Sequence, residues 1–169
     1  MLNLNSIKQC ERVVMKGDKV QNIRVSFPGN LGYVSAIRKL VTDLLQANDY
    51  SRKFAYRSEV IVDEVCSNAI QYGCKKENSS IELSCSISEE SFEIQVKDEG
   101  GEVTDINKLK SAVNSEISDI DLEVSRIRKF ARGGFGLEIV RMLSEEIELK
   151  IGENNMTTLR VVRKKSQDG

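Results

Sequence analysis

Histidine and tryptophan are absent from this 169-residue chain, and proline occurs once. Without histidine there is no Ser-His-Asp triad, no Cys-His nucleophile, no imidazole-bound metal and no phosphohistidine on the chain itself. Four cysteines, Cys10, Cys66, Cys74 and Cys85, form no CxxC pair, so a zinc site has no basis and reduced, buried thiols are the default reading. Charge of one sign is also lacking. Lys and Arg number 25 against 26 Asp and Glu, a net of −1, which leaves no broad basic footprint for nucleic acid. The short basic stretch at Arg160, Arg163, Lys164 and Lys165 does not reverse that balance. No apolar run approaches the roughly 20 residues that span a bilayer. The opening "MLNLNSIKQCERVV" lacks the basic and apolar regions of a signal peptide. The expectation is a cytoplasmic protein with no membrane and no direct nucleic-acid partner.

What is there suits one globular domain: 40% apolar and 30% charged residues in a chain long enough to bury a core unaided. "KVQNIRVSF" (19–27) alternates as a half-buried strand does, and "PGNLG" ends it. Val34, Ile37, Val41, Leu44 and Leu45 mark one helical stripe between Tyr33 and Ala47. A second helix runs from Arg52 to Tyr72 and stops at Gly73. "SIELSCSIS" and "SFEIQVKD" read as an antiparallel hairpin around Glu89 and Glu90. Residues 99–133 are polar and show helical period only around Ile117 to Ile127, so no compact element is expected across most of that span. "LEIVRMLS" is helical again, and "EIELKI" and "TTLRVVRK" close the chain as strands. The sum is an α+β two-layer sandwich, a mixed sheet covered on one face by helices. Residues 21–169 form the single domain. Residues 1–20 are an extension in which "CERVVM" is either a further strand, joined by the "KGD" turn, or loosely held chain.

Three short stretches carry polar groups that chemistry can use. Glu64 and Asn68 lie four apart and share a helix face, as the polar edge of a surface helix or as one side of a site. Asp98 ends a strand ahead of Gly100 and Gly101, as an exit turn or as an acceptor for an amino group on a bound base. "ARGGFGLEIVRML" sets three glycines before a helix. It is neither a Walker A loop nor a Rossmann turn, yet it offers free backbone N–H groups at a positive helix end.

In this order the three stretches resemble the GHKL (Bergerat-fold, histidine-kinase-like) ATPase superfamily. The stretch "FPGNLGYVSAIRKL", with Phe27, Pro28, Tyr33 and Arg38, is similar to the opening of its anti-sigma factor serine kinases of stress-response and sporulation type. The resemblance implies an ATP/ADP site and a magnesium ion, with Asn68 as ligand of the Mg²⁺ and Glu64 as base toward an incoming hydroxyl. It implies that Asp98 receives the adenine amino group, that Gly100 gives the base room, and that Thr157 supports the same network. Gly134 and Gly136 would face the phosphates at the end of a lid spanning about 99–133, with Arg132 as a further phosphate contact. Arg38 falls at a partner-surface position. The implied partners are a sigma factor, an anti-anti-sigma STAS-domain protein that is phosphorylated on serine or threonine, and a second copy of the chain. Two departures stand out: Glu102 replaces the last glycine of a DxGxG-type motif, and Tyr72 stands where many relatives have histidine. Two other readings remain beside the kinase. One is an ATP-binding partner-switching module without kinase activity, which Glu64 disfavours. The other is a detached histidine-kinase-like catalytic domain, which the missing histidine and missing long dimerisation helix disfavour.

Overall fold

The computed structural model describes residues 8–14, 20–114 and 136–168. Strands β1 (Lys8–Val14) and β2 (Gln21–Pro28) are followed by helices α1 (Val34–Ala47) and α2 (Arg52–Gly73). Then come β3 (Ser80–Ile87), β4 (Ser91–Lys97), α3 (Val103–Asn114), α4 (Gly136–Leu143), β5 (Glu146–Ile151) and β6 (Thr157–Lys164). The six strands form one sheet in the order β1-β2-β3-β4-β6-β5.

Alternation decides which face of the sheet is covered. Ile81, Leu83, Cys85 and Ile87 of β3, and Phe92, Ile94 and Val96 of β4, are buried under α1 and α2, while the intervening residues turn the other way. On α1 the buried stripe is Val34, Ile37, Val41 and Leu45, at the expected helical spacing, with Leu44 at its edge. Helix α2 buries a wider face, from Phe54 through Ile61 and Val65 to Ile70, because it lies between the sheet, α1 and α4. Ser51 caps its start, the hydroxyl accepting from the Phe54 N–H at 3.1 Å, worth about 1 kcal/mol.

Two expectations change and one open alternative is resolved. The sheet is antiparallel at every described pairing rather than mixed. The crossover after β4 does return β5 in the same direction as β4, but β6 inserts between them, so the two never pair. Val103–Asn114, expected to hold no compact element, is helix α3, which packs against α4 and β5 through Leu109 and Val113. Of the two readings of the extension, the strand is the one found: Glu11–Val14 pairs with Arg24–Gln21 and widens the sheet by one strand. The "KGD" turn and the segment Ile117 to Ile127 lie outside the described residues.

Candidate functional site

Asp98 leaves the end of β4 and is 5% exposed, as is Thr157 at the start of β6. A carboxylate has about four acceptor directions, and three are occupied here. The backbone N–H groups of Gly100 and Thr157 donate to Oδ1 at 2.9 and 3.0 Å, and the Thr157 hydroxyl donates to Oδ2 at 2.5 Å. The Asp98 N–H donates to the Thr157 carbonyl at 3.1 Å, which locks β4 and β6 together at this point. One direction on Oδ2 is left, and an acceptor-only group can take only an N–H or O–H donor there.

Asp98 and Thr157 line a cavity whose apolar walls are Val65, Ala69, Val96, Leu109 and Leu159, and whose other polar residues are Asn68 and Tyr72. The cavity holds about 20 Å³, and its outer wall is the short helix α3 through Leu109. Asn68 sits one helical turn beyond Glu64 on α2, and both meet the start of α4. A side-chain carbon on Gly136 would lie 2.1 Å from Glu64 Oε2 and 3.5 Å from Asn68 Nδ2. Glycine there lets the α4 N-terminus approach the two side chains without displacing the end of Glu64. Burial, and secondarily the charge of Asp63, pushes the Glu64 carboxyl above its ordinary range, giving it a raised proton affinity.

The glycines do their work from unexpected sides. Gly100 has φ +106°, and a Cβ there would run into the Asn154 carbonyl. It shapes the turn that follows Asp98. Gly73 and Gly101 line the cavity. A Cβ on Gly73 would lie 2.2 Å from Asp98 Cγ, and one on Gly101 would lie 1.9 Å from the Tyr72 carbonyl. Gly73 is thus a close-approach glycine, and among described residues Gly100 alone of the glycines has positive φ. Glu102 is exposed and does not line the cavity. Glu99 turns away to β3, accepting from the N–H and hydroxyl of Ser80 at 3.1 and 2.9 Å, which holds its carboxyl below the usual range.

Arg132 and Gly134 lie outside the described residues. Arg38 is turned onto α2, its side chain about one-third exposed, 3.7 Å from Glu59 and 3.4 Å from Asp63. Cys66, Cys74 and Cys85 are free. Burial raises all three thiols, Cys74 to about 11 and Cys85 to about 12, so none is a thiolate nucleophile. Among the described residues no cluster of three acidic or cysteine side chains could hold a metal, and no helix is long and apolar enough to cross a membrane.

Sequence reading missed Arg163. Its position on the inward face of β6 is visible from the alternation in "TTLRVVRK", but a charged residue there reads as an interruption of the pattern. It is 1% exposed; it donates to the carbonyls of Leu143 and Phe54 at 2.7 and 2.9 Å and to Ser58 Oγ at 2.7 Å. The guanidinium also stacks 4.0 Å over the Phe54 ring. One side chain thereby ties the end of α4 to the first turns of α2.

The family profile described as a histidine kinase-like ATPase domain matches residues 27–163. The chain is 27% identical over 131 residues to the serine-protein kinase RsbW of Bacillus licheniformis, covering 76% of this chain and 78% of that one. Among solved structures, a chain in the crystal structure of the SiaB–SiaC complex from Pseudomonas aeruginosa has the same fold. It superposes with a TM-score of 0.64 at 14% identity, over 93% of this chain and 89% of that one.

Proposed function

Since this chain belongs to the histidine kinase-like ATPase domain family, we propose that it is an ATP-dependent protein serine/threonine kinase of the partner-switching type. It phosphorylates an anti-anti-sigma STAS-domain protein, sequesters a sigma factor, and works as a cytoplasmic homodimer. The similarity to a serine-protein kinase supports the reaction class. The observation that carries it is the meeting of Glu64 and Asn68 with Gly136 at the start of α4, in continuity with the Asp98 cavity. A pure nucleotide-binding module has no use for a carboxylate of raised proton affinity at that place.

The residues fit the chemistry. The open acceptor direction on Asp98 Oδ2 matches the amino group of adenine. The amide oxygen of Asn68 is a hard donor suited to magnesium, which is commonly held by few protein groups and by the phosphates themselves. When bound, Mg²⁺ neutralises the charge that develops on the transferring phosphoryl group. The glycine-bounded start of α4 presents backbone N–H groups and the positive helix end. Glu64 takes the proton from a serine or threonine hydroxyl as that oxygen bonds to the γ-phosphorus and the bond to the β–γ bridging oxygen breaks, releasing ADP. A base enters the cavity with outward movement of Leu109, since the present volume of about 20 Å³ is too small for it.

Transfer of labelled γ-phosphate from Mg-ATP to a purified STAS-domain acceptor tests this. Acid-stable label on serine or threonine is expected, with Glu64→Ala slowing single-turnover transfer by about 10²- to 10⁴-fold while leaving nucleotide affinity near wild type. Acid-labile label would mean a histidine acceptor on another protein, and equal rates in both proteins would remove Glu64 as the base.

A further inference from the structure

The turn between β5 and β6 makes contacts that the catalytic residues do not account for. Glu153–Asn155 forms one turn of 3-10 helix in which Asn154 and Asn155 both hold left-handed backbone, at φ 55° and 61°. Asparagine tolerates that region better than most residues, but two in succession still cost something relative to glycine. They press directly on the Asp98 loop. The Asn154 carbonyl closes on Gly100, and Asn155 Nδ2 donates to the Gly101 carbonyl at 3.4 Å. From the opposite side Gly101 is backed by the Tyr72 carbonyl at the end of α2. Residues 100 and 101 are therefore clamped between two pieces of backbone, and Gly101 is itself a wall of the cavity.

We propose that Asn155 is a positioning residue for base selection, holding the Gly100–Gly101 loop so that Asp98 presents its one open acceptor direction at a fixed place. This rests on the nucleotide-binding reading above and adds to it how the base is chosen. Asp98 offers an acceptor; the adenine amino group donates to it, whereas the guanine O6 carbonyl faces it acceptor to acceptor. Discrimination of that kind is strong only while the acceptor cannot retreat. The Asp98 carboxylate is tied to the Gly100 N–H, so freeing the loop lets the carboxylate shift and the penalty against guanine falls.

Calorimetric titration with ADP and with GDP, both with Mg²⁺, tests this on Asn155→Gly, Asn155→Asp and an Asp49→Gly control. Glycine accepts the left-handed backbone at residue 155 without strain and removes the side chain that carries the amide donor. Asp49, in the α1–α2 turn, has φ 58° and allows the same backbone relief away from the cavity. The bond is made within the protein, so its loss acts on affinity only through the freedom it gives the loop, by up to about fivefold, the worth of one neutral hydrogen bond. Both Asn155 variants are expected to bind ADP more weakly, by up to about fivefold, with a smaller ratio of ADP to GDP affinity and a melting temperature at or above wild type for the glycine. Asp49→Gly is expected to keep both affinities. An unchanged ADP/GDP ratio in both Asn155 variants would overturn the inference while leaving the nucleotide site standing. Wild-type protein that binds neither nucleotide would overturn the site and this inference together.

Discussion

Asp98 and Glu64 are both carboxylates, yet their surroundings assign them opposite tasks. Asp98 is held by three N–H and O–H donors that fix the direction of its carboxylate. Glu64 is half-buried beside Asp63, and burial first, then the Asp63 charge, raises its proton affinity. Because the folded state raises the proton affinity of Glu64 above its ordinary 4.5, ionising it disfavours folding. Below the unfolded value both states are protonated and nothing is lost. As pH rises through the window up to the folded value, the unfolded chain releases this proton first and stability falls. Glu64→Gln should therefore unfold at a higher temperature than wild type at neutral pH, with the gain fading below about pH 4.5. Thermal scans across pH check this, and a variant less stable at neutral pH would show that the carboxylate is held by contacts that favour its charge. The gain and the loss of transfer would come from the same atom, a common exchange at reacting sites.

At the scale of elements, α2 organises the site, supplying Glu64 and Asn68 from one face and Gly73 from its end. Its bounds and its polar pair were legible in the sequence because helical period and spacing carry them locally. Arg163 was not legible, since its partners, the carbonyls of Leu143 and Phe54 and the Ser58 hydroxyl, are distant in sequence and invisible to any pattern. Nor was α3, whose apolar spacing at Leu109 and Val113 is short and sits in a polar stretch. The same limit applies to Gly73 and Gly101: the sequence marks them as turn residues, while their reason is a backbone approach across the fold. Arg163→Met should cost about 3 kcal/mol, because it leaves buried acceptors unsatisfied at the α2–α4 junction. Urea unfolding measures that cost, and a loss under about 1 kcal/mol would mean that water or neighbouring side chains replace the guanidinium.

At the scale of the molecule, the fold class follows from alternation and period, and the two-layer arrangement is found as expected. The antiparallel character of the sheet depends on β6 entering between β4 and β5, a fact of topology that no local pattern encodes. That insertion also builds the site, because it puts Thr157 against Asp98 across the β4–β6 pair. In the proposed site Asp98 is the base-reading acceptor. Its direct test is calorimetric titration of wild-type protein and Asp98→Asn with ATP, with and without Mg²⁺. The account predicts saturable, Mg²⁺-dependent binding by wild type and its loss in the variant, whose amide would turn a donor toward groups that themselves donate. A folded wild-type protein that binds no ATP, or an Asp98→Asn variant that binds as well as wild type, would contradict it.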